Sequence, residues 1–180
     1  MERKAFDQIL HDENDAIAKE AVRSFLEAVW GYPVTEGGQY DVDLLIYEED
    51  TICGYVEVER RHNWDKQHFP FDTLHIPERK RKFFTLDQPS LLFAVSKDCK
   101  WAVFVPGEIV LQCPVKMLDN KFCFQEPFFV VPIEYCMLVD LEKKPDGLKT
   151  PPGQPCDSGG EDLLLRLAVR SERLNAAAVG

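Results

Sequence analysis

The segment Tyr40-Asp-Val-Asp-Leu-Leu-Ile-Tyr47 alternates in character, and a second alternation follows from Thr51 to Arg60. Side chains along a strand point to opposite faces with a period of two. Val42, Leu44 and Ile46 therefore share one face, and Asp41, Asp43 and Leu45 the other. In the second segment Val56 and Val58 share a face, with Glu57 and Glu59 opposite them. Glu48-Glu-Asp50 is a turn short enough to make the two strands antiparallel neighbours. With the turn centred on Glu49, Asp41 faces Glu57; a shift of two pairs Asp43 with Glu57. Alternation leaves both registers open, because a bulge changes the pairing. Either one gathers carboxylates on a shared face.

Like charges opposed in a sheet repel, and carboxylates within about 4–6 Å raise one another's pKa. A cation relieves that repulsion. Oxygen-only ligands suit Mg²⁺ or Mn²⁺, held through one or two carboxylates with waters and substrate phosphate. A metal so held activates water and stabilises charge on a phosphodiester. The plain alternative is the solvated polar face of an edge hairpin. Two features weigh against it. The aliphatic face ties the hairpin to a core, and a basic stretch follows. From Arg60 to Lys82 the chain has seven basic residues (Arg60, Arg61, Lys66, Arg79, Lys80, Arg81, Lys82) against three acidic ones (Asp65, Asp72, Glu78). The whole chain of 180 residues carries −10. Its average field repels nucleic acid, so a local excess of positive charge is the footprint expected for phosphate contacts. A solvated helix face is the competing explanation for those cations.

The order is a helix carrying Glu, an Asp on a strand, Glu-x-Glu on the next strand, then a basic helix. It is carried by Lys19-Glu-Ala-Val-Arg-Ser-Phe-Leu26, Tyr40-Asp-Val-Asp-Leu-Leu-Ile46 and Gly54-Tyr-Val-Glu-Val-Glu-Arg60. This arrangement resembles the PD-(D/E)xK nuclease superfamily over residues 12–105. The resemblance implies an α/β, restriction-endonuclease-like fold, with a central mixed β-sheet flanked by helices. It implies a metal-dependent nuclease that hydrolyses DNA through carboxylate-held Mg²⁺ or Mn²⁺. Catalytic roles then fall to Glu20 (or Glu27), Asp43, Glu57 and Glu59, and metal binding to Asp43, Glu57 and Asp41. Arg60, Arg61, Lys66, Arg79, Lys80 and Lys82 would contact nucleic acid. Glu59 departs from the pattern, standing where the family usually has Lys; Lys66 or Lys80 would supply the missing charge. The alternative is an inactive domain of the same fold that binds protein or nucleic acid.

The remaining sequence sets the frame. Residues 12–30 have apolar positions at helical spacing, with Asp12 or Asn14 as a cap and Gly31 and Pro33 as terminators. Residues 61–76 read as irregular, and Pro77 as the first turn of a helix to Leu86. Strands are expected at 91–95, 101–105, 108–113, 122–125 and 128–139. The organisation is an α/β domain over 1–142, a flexible linker over 143–160 and a C-terminal helix over 161–180 that could dock on a protein partner. A homo-oligomer is also open. Six cysteines without a CxxC pair read as reduced thiols. His62, His68 and His75 match no zinc spacing and are expected to line a groove with Trp64, Phe69 and Phe71, or to pack. Met1 to Asp15 lacks a signal-peptide core. No run approaches the ~18 apolar residues of a membrane span. A cytoplasmic location with no membrane contact is expected. Without a Walker or Rossmann loop, so is the absence of a nucleotide cofactor.

Overall fold

The computed structural model describes residues 8–38, 42–119 and 125–143. A first helix, α1 (Gln8–Trp30), leads into β1 (Val34–Glu36), β2 (Leu44–Glu48) and β3 (Thr51–Arg61). The chain crosses over through β4 (Thr73–Pro77), a 3-10 turn (Glu78–Lys80) and α2 (Arg81–Phe84). It continues through β5 (Ser90–Ser96), β6 (Trp101–Pro106), α3 (Gly107–Gln112), β7 (Val115–Leu118), β8 (Glu126–Pro132), a 3-10 turn (Ile133–Tyr135) and β9 (Met137–Asp140).

The central sheet has six strands in the order β1-β2-β3-β5-β6-β9. It is mixed: β3 and β5 are parallel and the other neighbours antiparallel. Leu44, Val56, Val58, Leu91, Phe93 and Phe104 on one face pack with Ala18, Val22, Phe25 and Leu26 of α1. The opposite face, through Leu92, Ala94, Val103 and Val105, packs on Leu74 and Ile76 of β4, Phe129 and Val131 of β8, and Phe84 and Val110 of the short helices. A smaller three-stranded sheet, β4-β8-β7, forms that second layer. Every residue of β5 is buried, because both of its faces are covered. The expected α/β class and central mixed sheet are present; a helix covers one face, but a three-stranded sheet with short helices covers the other. Among the described residues no helix is long and apolar enough to cross a membrane.

Several expectations need correction. Asp12 and Asn14 lie inside α1 rather than capping it; helix propagation is cooperative and runs past short polar residues. Pro77 is the last residue of β4, not the start of a long helix. It fits because, among the described residues, β4 pairs only with β8, so a missing N–H is tolerated at that edge. Residues 108–113 are mainly α3, not strand: Gly107, Val110 and Cys113 are buried at a spacing of three. No side chain fits at Gly107, where a Cβ would stand 2.1 Å from Ser90 Oγ and 2.9 Å from the Phe84 ring. The strand expected over 128–139 is broken at Pro132 into β8, a 3-10 turn and β9. Residue 41, residues 122–124, residues 144–160 of the linker and the helix over 161–180 lie outside the described residues.

Candidate functional site

The hairpin register answers the question left open by alternation. Leu44 pairs with Val56 and Ile46 with Gly54, whereas Tyr47 pairs with Ile52. A bulge at Ile46/Tyr47 thus absorbs Cys53, and the register continued beyond Leu44 brings Asp43, not Asp41, beside Glu57. Glu49 takes a left-handed conformation (φ 54°) in the turn. Asp43 is fixed at the start of β2 by backbone as well as side chain. Its carbonyl accepts a bond from Gly37 N at 3.0 Å, and its Oδ2 accepts one from Val58 N at 2.8 Å. Gly37 is required there, because a Cβ would stand 1.9 Å from the Val42 carbonyl oxygen.

Glu57 is 4% exposed. Lys80, delivered by the 3-10 turn of the crossover, donates from Nζ to Glu57 Oε2 at 2.9 Å. Lys19 of α1 pairs with Asp43 Oδ1 at 2.8 Å. Burial pushes the Glu57 carboxyl up, the Lys80 ammonium pulls it back, and Asp43 pushes it up again. Lys80 is lowered by burial, but Glu57, Glu59 and Asp43 outweigh that and leave it raised, so the ammonium stays charged. Asp43, Glu57, Glu59, Lys80 and Lys19 therefore form one electrostatic cluster.

Glu59 Oε2 lies 3.3 Å from Arg61 Nη2, an ion-pair distance without hydrogen-bond geometry. Glu59 Oε2 and Arg61 Nε are buried without a hydrogen-bond partner, while Arg61 Nη2 donates to the His75 carbonyl at 2.6 Å. Of the two lysines expected to replace the missing charge, Lys80 stands beside Glu57, and Lys66 is exposed on the loop after β3.

Other residues lie elsewhere than expected. Glu20 is exposed, accepts a bond from Ser24 and pairs with Arg23, on α1 itself. Glu27 accepts a bond from Val34 N. The α1 residue that reaches the cluster is Lys19, which the sequence reading missed. Its signal was position: it adjoins Ala18 and lies three before Val22 on the packed face. Arg60 donates to the Lys97 carbonyl, and Arg79 pairs with Glu126. Arg81 pairs with Glu78 at 2.6 Å and covers the Phe129 ring at 4.7 Å, and Lys82 lies over Phe83 at 4.5 Å. Lys66, Arg79 and Lys82 are exposed cations, whereas Lys80 belongs to the cluster.

Trp64 is core, not groove: it is 1% exposed, and its indole N–H donates to the carbonyls of Lys66 and His68. Cys53, Cys99, Cys113 and Cys136 carry thiols rather than disulfides. Burial, and then Cys113, pushes Cys136 up to about 12, which leaves it unreactive.

Among the described residues no group of three or more His, Cys, Asp or Glu side chains is placed to hold a metal ion. Mg²⁺ needs only one or two carboxylates beside waters and phosphate; Asp43 and Glu57, the two that the hairpin brings together, are each paired with a lysine. No protein-family model matches the chain, and no curated protein matches it.

Proposed function

We propose that this chain is a Mg²⁺- or Mn²⁺-dependent nuclease of restriction-endonuclease-like fold, acting on DNA through the cluster at the start of the β2–β3 hairpin. The observation that carries the reading is Glu57, an acid buried beside a second carboxylate and matched by a lysine from a separate element. A buried ion pair rarely improves stability over apolar packing, and perturbed titratable groups concentrate at functional sites.

Asp43 and Glu57 would hold the ion, which when bound supplies Lewis-acid stabilisation of charge at the phosphodiester. Val58 N fixes the Asp43 carboxylate. Lys80 Nζ, 2.9 Å from Glu57 Oε2, would supply the charge that the family's usual lysine gives and Glu59 does not. Its role is to orient the attacking water and to balance negative charge as the phosphate is attacked. Lys66, Arg79 and Lys82 hold the strand by its phosphates.

Cleavage of plasmid and single-stranded DNA with Mn²⁺, beside Asp43→Ala and Lys80→Met, tests this. Metal-dependent cutting by the wild type, lost in both variants while they remain folded, is expected. Normal cutting by either variant sinks the assignment.

One observation favours a second reading, a binding domain of the same fold without catalysis. Each carboxylate is already neutralised by a lysine, Asp43 by Lys19 and Glu57 by Lys80. Calorimetric Mn²⁺ titration separates the two readings: uptake abolished by Glu57→Gln supports the nuclease, and no uptake by folded protein supports the binding domain.

A further inference from the structure

Past Glu59 the same face of β3 runs into a groove. It has a volume of about 210 Å³ and is lined by Arg61, Asn63, Phe69, Phe71, Thr73 and His75. At ~3.3 Å per residue, Arg61 lies about 13 Å along the strand from Glu57. Phe71 is 44% exposed, an unusual state for a ring of its size. Its position is not slack. It meets Phe69 edge to face at 5.5 Å between centroids, and Phe69 meets Trp64 the same way at 5.1 Å. Since Trp64 is core, Phe71 is linked through Phe69 to a buried anchor.

The polar groups are specific. Asn63 offers both a donor and an acceptor, the pattern on a nucleobase edge. Arg61 also lines the groove, and its Nε is buried without a hydrogen-bond partner. His75, whose imidazole lies 3.1 Å from Thr73 Oγ1, is held down in pKa by burial and then by Arg61 and exposed Lys116. Arg61, although paired with Glu59, is the cation that lines the groove. An extended peptide adding to β4 is disfavoured, because Arg61 already occupies the outward carbonyl of His75.

We propose that this groove takes an unpaired nucleobase of a single-stranded nucleic acid, stacked on Phe71 with its edge toward Asn63 and Arg61. The inference deepens the nuclease reading and rests on it for the class of ligand. It makes the substrate a single strand, or a duplex end opened to one, engaged at a base near but not at the cleaved bond.

The test uses the full chain in EDTA, with fluorescein-labelled oligothymidylate and a duplex of equal length, read by fluorescence anisotropy. Wild type binds the single strand more tightly than the duplex. Phe71→Ala weakens single-strand binding on the order of ten-fold, the effect of losing one base–aromatic stack. Phe71→Tyr, which keeps a stacking face, restores it. Equal affinities of wild type and Phe71→Ala overturn the proposal, as does an equal loss on the duplex. Matched melting temperatures exclude unfolding as the cause. Mn²⁺ titration of the same proteins separates the two readings. A groove effect without Mn²⁺ uptake leaves the groove standing and removes the catalytic reading; Mn²⁺ uptake with no effect of Phe71→Ala removes only the groove.

Discussion

Glu57 and Lys80 satisfy each other inside a protein layer, with side-chain exposures of 5% and 18%. Removing one member strands the other, which for a buried pair costs about 3–5 kcal/mol, whereas replacing both with apolar groups is often neutral. Urea melts should therefore show Lys80→Met strongly destabilised, and Lys80→Met with Glu57→Leu recovering most of the loss. Titration supplies a second check. Burial raises the Glu57 carboxyl, so the folded chain holds this proton more tightly than the unfolded one. The associated stabilisation is complete below the ordinary carboxylate range near ~4.3 and is lost as pH rises through the higher folded value. Measured against Glu57→Gln, which cannot ionise, wild-type stability should fall across that window. A difference independent of pH would contradict the raised value.

At the scale of elements, the hairpin shows what periodicity can and cannot carry. Alternation alone puts Glu57 and Glu59 on one face of β3, because a period of two needs no tertiary information. The partner of Glu57 was not assignable, since the bulge at Ile46/Tyr47 that selects Asp43 leaves no mark in the alternation. β4 is hidden for a related reason: it follows an aromatic loop and ends on Pro77, and a proline that ends an edge strand looks like one that starts a helix. The run Ile109-Val-Leu111 suggested a strand by composition, but the spacing of Gly107, Val110 and Cys113 was the better guide. Gly37 gives the element-scale prediction. A Cβ there displaces the Val42 carbonyl and with it Asp43. Gly37→Ala should cost about 1–3 kcal/mol in a denaturant melt and, with Mn²⁺ bound by the cluster as proposed, should weaken that binding more than a surface Gly→Ala does. Unchanged Mn²⁺ affinity would show that Asp43 is not held through this contact.

For the whole molecule, the field opposes the ligand proposed. A chain of −10 binds a polyanion only through local cations, and Lys66, Arg79 and Lys82 are exposed in the basic stretch. If these three meet phosphates of a single strand, log affinity against log salt should have a slope of roughly −2. Lys82→Ala should make that slope shallower without changing the preference for single strands. A slope near zero would remove the phosphate contacts. The crossover carries a last consequence. β3 and β5 are parallel neighbours, so the chain must travel through β4 and the 3-10 turn before β5 can dock, and Lys80 rides on that excursion. While the β2–β3 hairpin stands alone, Glu57 has no ammonium beside it and stays in water. The late, entropically slow closure of a long-range connection is then also the step that delivers the counter-charge. Chain topology thus makes the site's electrostatics a product of completed folding, so no early hairpin can present a formed site.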